Sequence, residues 1–211
     1  MRILVTGFEP FGGEAINPSW EVVCGLPHFC HGAEILPLRL PVVFGRAGDL
    51  LTEAFLKEKP EAVLCLGQAG GRTALTPELV ALNLQDARIP DNDGQAPCQK
   101  PVVPGGPDGR FATLPVRAMV EAIRQAGIPA SLSYTAGTYV CNDLMYRVLD
   151  LLAGYPGCRG GFLHLPYLPA QAASKPGTAS MALDDMVRGV DAAILAIVQG
   201  GPEAGQLGQE C

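Results

Sequence analysis

The sequence predicts an α/β protein, a twisted and mostly parallel central sheet between helical layers. Three observations carry this. Apolar runs of strand length alternate with amphipathic helical patterns. Three of the runs are near-continuous, as in strands covered on both faces. The 26 Gly and 19 Pro are spread without a period, which implies many turns between short elements.

Taken in order, strands are expected at Arg2–Thr6, Glu34–Leu40, Ala62–Leu66, Val80–Leu84, Ser131–Thr135 and Gly161–Leu165. The first helix, Pro18–Leu26, opens on a proline suited to the first helical position. Val43–Lys57 sets Phe44, Ala47, Leu51 and Phe55 on one face. Pro115–Ala126 does the same with Val116, Met119, Val120 and Ile123, and Gly127 stops it. Tyr139–Ala153 follows. Met181–Val198 closes the pattern with a wide apolar stripe and Ser180 as the expected cap. Ile89 to Arg110, rich in Pro and Gly, falls outside the rhythm as a long irregular excursion of the kind that often carries function. Residues 1–199 read as one domain, and 200–211 as a Gly-rich, polar tail.

Composition narrows the function. At 211 residues and 48% hydrophobic, the chain can bury a sizeable core. A net charge of −6 argues against nucleic acid or an anionic membrane as partner. The longest apolar run, Ala192 to Val198, is too short to span a bilayer, and Met1 to Gly7 does not read as an export signal. The seven cysteines are odd in number and irregularly spaced, which reads as reduced thiols in a cytoplasmic protein.

Two residues stand at places where chemistry gathers in open α/β sheets. Cys141 lies in the first turn of the helix beginning near Tyr139, where unpaired N–H groups favour a thiolate. That position predicts a depressed pKa and alkylation below neutral pH. His164 ends an apolar strand just before Leu165-Pro166-Tyr167. A thiol beside an imidazole is the core of covalent acyl transfer. A third group should orient the ring, and Glu78, Asp86, Asp91 and Asp93 all compete for that role. Phe8 and Phe11, in a turn beyond the first strand, could wall an apolar pocket. The Gly-rich turns at 7–13 and 67–71 lack the basic residue of a phosphate loop. Cys24, His28, Cys30 and His31 fit no usual zinc spacing, so no metal is expected.

Five segments together resemble the pyrrolidone-carboxylate peptidases, also called pyroglutamyl peptidase I. They are Gly7–Gly13 with Asn17–Trp20, Gly67–Arg72, Ala87–Asn92, Gly137–Asn142 and His164–Tyr167, in register from residue 3 to about 198. The resemblance implies a cysteine peptidase on a single α/β/α sandwich that removes N-terminal 5-oxoproline (pyroglutamate) from peptides without a cofactor. By motif, Cys141 would be the nucleophile, His164 the general acid/base and Glu78 its orienting residue. Arg88 would lie near the reacting carbonyl. Phe8, Phe11, Gln68, Ile89, Tyr139 and Val140 would form the lactam pocket, with Tyr139 replacing the usual Phe. The resemblance also implies a homodimer or homotetramer. Two other readings are a binding module for oxoprolyl peptides that does not cleave them and a phosphate-dependent nucleoside-type transferase on a similar sheet. The absence of a basic phosphate motif counts against the transferase.

Overall fold

Residues 1–200 are described by the structure, a computed structural model. Four parallel strands form its centre: β1 (Arg2–Phe8), β3 (Ala33–Leu40), β4 (Ala62–Gln68) and β8 (Arg159–Leu165). Short antiparallel strands close both edges, β2 (Phe29–Cys30) beside β3 and β5 (Thr76–Glu78) beside β8. The order is β2-β3-β1-β4-β8-β5. Strands β1, β4 and β8 are buried along nearly their whole length, which is why their sequences do not alternate.

Helices cover both faces. On one side α1 (Pro18–Gly25), α3 (Val116–Gln125) and α6 (Leu183–Gln199) pack against Ile3, Val5, Leu64, Leu66, Leu163 and Leu165. On the other, α2 (Arg46–Glu58) and α4 (Val140–Leu152) cover Leu4, Val63, Cys65 and Phe162. The alternation of side chains along each strand thus divides the interior into two apolar layers. A short helix, α5 (Pro169–Ala172), follows β8. Among the described residues no helix is long and apolar enough to cross a membrane.

Three expectations are corrected. Ser131–Thr135 is not a strand of the sheet; it makes one isolated bridge, Ser133 to Glu78, next to another from Ala130 to Leu75. Amides Ser131, Ser133 and Leu79 all bond across this edge, but Pro77 has no N–H, and the ladder lacks the rung it would supply. Val80–Leu84 shortens to β6 (Val80–Leu82), paired with β7 (Gly109–Phe111) in a separate two-stranded sheet. Ser180 does not cap the last helix. It bridges to Tyr167, the helix starts at Leu183 after Ala182, and Asp184 and Asp185 supply the favourable charge in its first turn. The Cys30–His31 region forms a tight hairpin, with His31 at φ 51 and Gly32 at φ 80. Gly200 caps α6, while the rest of the expected tail, with Cys211, lies outside the described residues.

Candidate active site

Strands β1, β4 and β8 run parallel and end together at Phe8, Gln68 and Leu165, opening a crevice at their carboxyl ends. A cleft of about 370 Å³ occupies it, and both Cys141 and His164 line it. Their meeting follows from register. Gly67 and His164 are paired across β4 and β8, so both face the α4 side, as Cys65 and Phe162 do. Helix α4 brings Cys141 down onto the same spot. A Cβ on Gly67 would lie 2.9 Å from Cys141 Sγ and 2.6 Å from Phe162 Cζ. Glycine at 67 is what lets the sulfur rest on the strand beside His164.

Strand β5 then delivers the third group. Its antiparallel register sets Thr76 opposite His164 and Glu78 opposite Phe162. Glu78, fully buried, takes the His164 Nδ1–H on Oε1 at 2.7 Å. An ionised carboxylate only accepts, so the proton is assigned to Nδ1 and the Nε2 lone pair is free for a proton from the thiol. Of the four carboxylates open in the sequence, Glu78 is the one hydrogen-bonded to the His164 ring. Asp91 bonds the Phe44, Asp93 and Gln95 amides, and Asp86 lies on the exposed loop.

Burial dominates the electrostatics. It pushes the Cys141 thiol up to about 12, with Glu78 and Cys65 adding in the same direction, while Arg72 and the residue's own N–H pull the other way. Burial also lowers His164, against the raising effect of Glu78, and Arg72 lowers it further. The thiolate expected from the helix N-terminus is therefore corrected. Burial works against the helix field, and it favours a neutral thiol and a neutral imidazole in the resting site. With substrate absent, alkylation of Cys141 by iodoacetamide should rise about tenfold per pH unit from 7 to 9, as a high thiol pKa demands. A rate flat from pH 5 to 8, followed by peptide mass mapping, would reveal a preformed thiolate.

The walls are apolar on one side and amide-lined on the other. Phe8, Phe11, Tyr139 and Val140 form the first side, joined by Val42. The Tyr139 ring sits edge-on to Phe44 at 5.3 Å, and its hydroxyl donates to Pro90 O at 3.0 Å rather than pointing into the cleft. Burial raises that phenol to about 12, so it stays a donor. Gln68 is held by buried Gln171, whose Nε2 donates to Gln68 Oε1 at 2.8 Å. With Oε1 taken, Gln68 Nε2 is the half of the amide left for a ligand. Arg88 and Ile89 are exposed and do not line the cleft. They ride on a loop tethered through Asp86 to Thr138 and through Pro90 to Tyr139.

Sequence reasoning missed the groups that fix α4 in place. Tyr139, its N-cap, makes no side-chain capping bond. Instead Asn142, fully buried, accepts from Leu82 N at 2.8 Å and donates to Leu82 O and Leu84 O. Asp143 accepts from Gly45 N, Gln85 Nε2 and Arg147 Nε. Polar residues in the first helical turn directly after a cysteine were the available signal. Among the described residues no cluster of three or more His, Cys, Asp or Glu is placed to hold a metal ion.

The pyroglutamyl peptidase family model matches residues 1–200. A pyrrolidone-carboxylate peptidase of Streptococcus pyogenes is 55% identical over 199 residues, covering 94% of this chain and 93% of the relative. The crystal structure of Bacillus amyloliquefaciens pyroglutamyl peptidase I superposes with a TM-score of 0.91 at 43% identity, over 96% of this chain and 98% of that one. The pyrrolidone carboxyl peptidase of Thermococcus litoralis does so with a TM-score of 0.90 at 37% identity, over 94% and 93%.

Proposed function

The chain belongs to the pyroglutamyl peptidase family, cysteine peptidases of the hydrolase class, and from that premise we propose that Cys141, His164 and Glu78 hydrolyse the bond after an N-terminal pyroglutamate. The observation that carries the reading is one line of groups running from buried Glu78 out to the cleft. Glu78 holds His164 Nδ1, and His164 shares the cleft with a sulfur seated over its strand partner Gly67.

The chemistry follows from the neutral resting pair. As Sγ attacks the oxoprolyl carbonyl, the thiol proton passes to His164 Nε2. Charge appears on the ring only while negative charge appears on the substrate oxygen, and buried Glu78 stabilises the imidazolium at that moment. The first-turn N–H groups of α4 lack intrahelical partners and serve as donors to the oxyanion. Arg88, exposed on the loop tied to Thr138 and Tyr139, is the side chain the family resemblance would add to them. The imidazolium then protonates the departing amine. A water deprotonated by the neutral ring cleaves the thioester and releases 5-oxoproline.

Specificity has a physical basis in the same walls. An oxoprolyl residue carries no ammonium and no carboxylate, so Phe8, Phe11 and Val140 can desolvate it at little cost. An ordinary N-terminal Glu or Gln would bring an unpaired charge into the cleft, at a cost of roughly several kcal/mol. Gln68 Nε2 donates to the lactam carbonyl, which proline lacks. Oxoprolyl amides should therefore be cleaved with a kcat/KM at least about a hundredfold above matching prolyl amides. Release of a fluorescent amine from the two substrates measures the ratio, and equal rates would remove the pocket account.

A further inference from the structure

The buried carboxylate of Glu78 is loaded unevenly. His164 Nδ1 reaches Oε1 at 2.7 Å, and Arg72 Nη1 reaches the same Oε1 at 2.7 Å. Oε2 is buried and has no hydrogen-bond partner among the described residues. Arg72 does not take the side-by-side grip that guanidinium and carboxylate usually adopt. It donates with one nitrogen, and that nitrogen also bonds Thr76 Oγ1, the residue paired with His164 across β5 and β8.

The loop that carries Arg72 is shaped to bring it there. Gly71 sits at φ 90, and the Arg72 amide turns back to Ala69 O. Gly70 lies under the Tyr167 ring, where a Cβ would come within 2.2 Å of Cζ. The side chain is 29% exposed, bridging the cleft wall to a carboxylate that water does not reach.

We propose that Arg72 is a positioning residue that acts through Glu78: by sharing Oε1 with His164 it fixes the rotamer that orients the imidazole and limits the negative charge the ring feels. Two donors on one oxygen compete, so a stronger bond to one weakens the other. Glu78 favours a charged ring, burial opposes it, and a charged ring cannot take the thiol proton. With the guanidinium on the same oxygen, the pull of Glu78 toward a charged ring is reduced, which adds to the effect of burial. The charged and titratable groups facing the ring are Glu78 from β5, Arg72 from the loop after β4, and Cys141 from α4. Of these, Arg72 is the cation that opposes Glu78, and it lowers His164 as this account requires.

The inference rests on the proposed roles of Cys141, His164 and Glu78, so it is tested in protein whose turnover has first been shown to require Cys141. The pH dependence of kcat and kcat/KM for an oxoprolyl amide is measured in wild type, Arg72→Met and Arg72→Lys, with ring-proton NMR titration of His164 alongside. In Arg72→Met the acid limb of kcat/KM and the His164 titration should both move to higher pH, by about half a unit or more. Its kcat should fall about tenfold with KM unchanged. Arg72→Lys keeps the charge, so the acid limb should stay at its wild-type position and most of kcat should return. Three results would overturn the proposal: a melting temperature that falls with neither pH profile moving, a KM that rises while kcat is kept, or Arg72→Lys behaving as Arg72→Met does. If Arg72→Met is inactive, the NMR titration alone decides.

Discussion

Cys141→Ser should lower kcat for an oxoprolyl amide by on the order of 10⁴-fold or more, with KM nearly unchanged. A serine hydroxyl resists ionisation far more than a thiol, and the Glu78–His164 pair is arranged to accept a proton from sulfur. His164→Ala should lose a similar factor, and the double variant little more, because the two groups act in one step. Glu78→Gln should lose less, roughly ten- to a hundredfold. Its amide oxygen can keep both donors on the Oε1 side while the NH₂ takes the place of Oε2, where no donor stands. The charge is lost but the ring is still held. Full activity in Cys141→Ser, with the fold checked by circular dichroism, would refute the nucleophile assignment.

The second large effect comes from a residue that touches no substrate. Gly67→Ala adds one carbon facing Phe162 Cζ at 2.6 Å and Cys141 Sγ at 2.9 Å. Phe162 is fully buried and Cys141 half-buried at the cleft floor, and neither is the loose end of a flexible chain. Overpacking of this kind costs about 1–3 kcal/mol. The sulfur moves before the ring does, because Phe162 is locked in the core layer under α4. A shift of about 1 Å at a nucleophile can cost a hundredfold in rate. Gly67→Ala should therefore reduce kcat about a hundredfold while the melting temperature falls by only several degrees. Gly127→Ala is the control: at φ 79 with open space around it, it strains the backbone far from the cleft, so stability drops and rate does not. Equal rates in Gly67→Ala and wild type would mean that the sulfur is not seated on that strand.

What could be read from the chain tracks where local pattern decides the outcome. Apolar runs announced β1, β4 and β8 because strands buried on both faces have little choice of residue. Cys141 and His164 were legible for a related reason, since each sits where an element of clear type starts or stops. Glu78 was not. Its strand has three residues with a proline in the middle, and no periodicity can show that. From residues alone it was one carboxylate of four, and only the family's motifs singled it out. The helix position that favours a thiolate is visible in sequence, whereas the packing against Gly67 that opposes it is a tertiary fact. Arg88, placed by motif near the reacting carbonyl, and Ile89, placed in the pocket, stand exposed on a loop tied to Tyr139 and are not among the residues lining the cleft.

Helix α4 is gripped from the side rather than at its tip. Asn142 holds the backbone at Leu82 and Leu84, Asp143 holds Gln85 and Gly45, and these bonds lie within one turn of the sulfur. Beyond Gln85 the irregular excursion is fastened again by its own ties, Asp91 to Phe44 and Tyr146 to Pro107. Length variation is accordingly partitioned along this one stretch of polypeptide. Residues inserted near the exposed bend at Gly94 disturb the turn that Asp91 holds before they reach the clamps on α4, so that bend tolerates a tag or graft better than the stretch beside Leu82 does. A single added residue between Leu82 and Gln85 would throw both clamps out of phase and swing the helix, with its thiol, off the sheet.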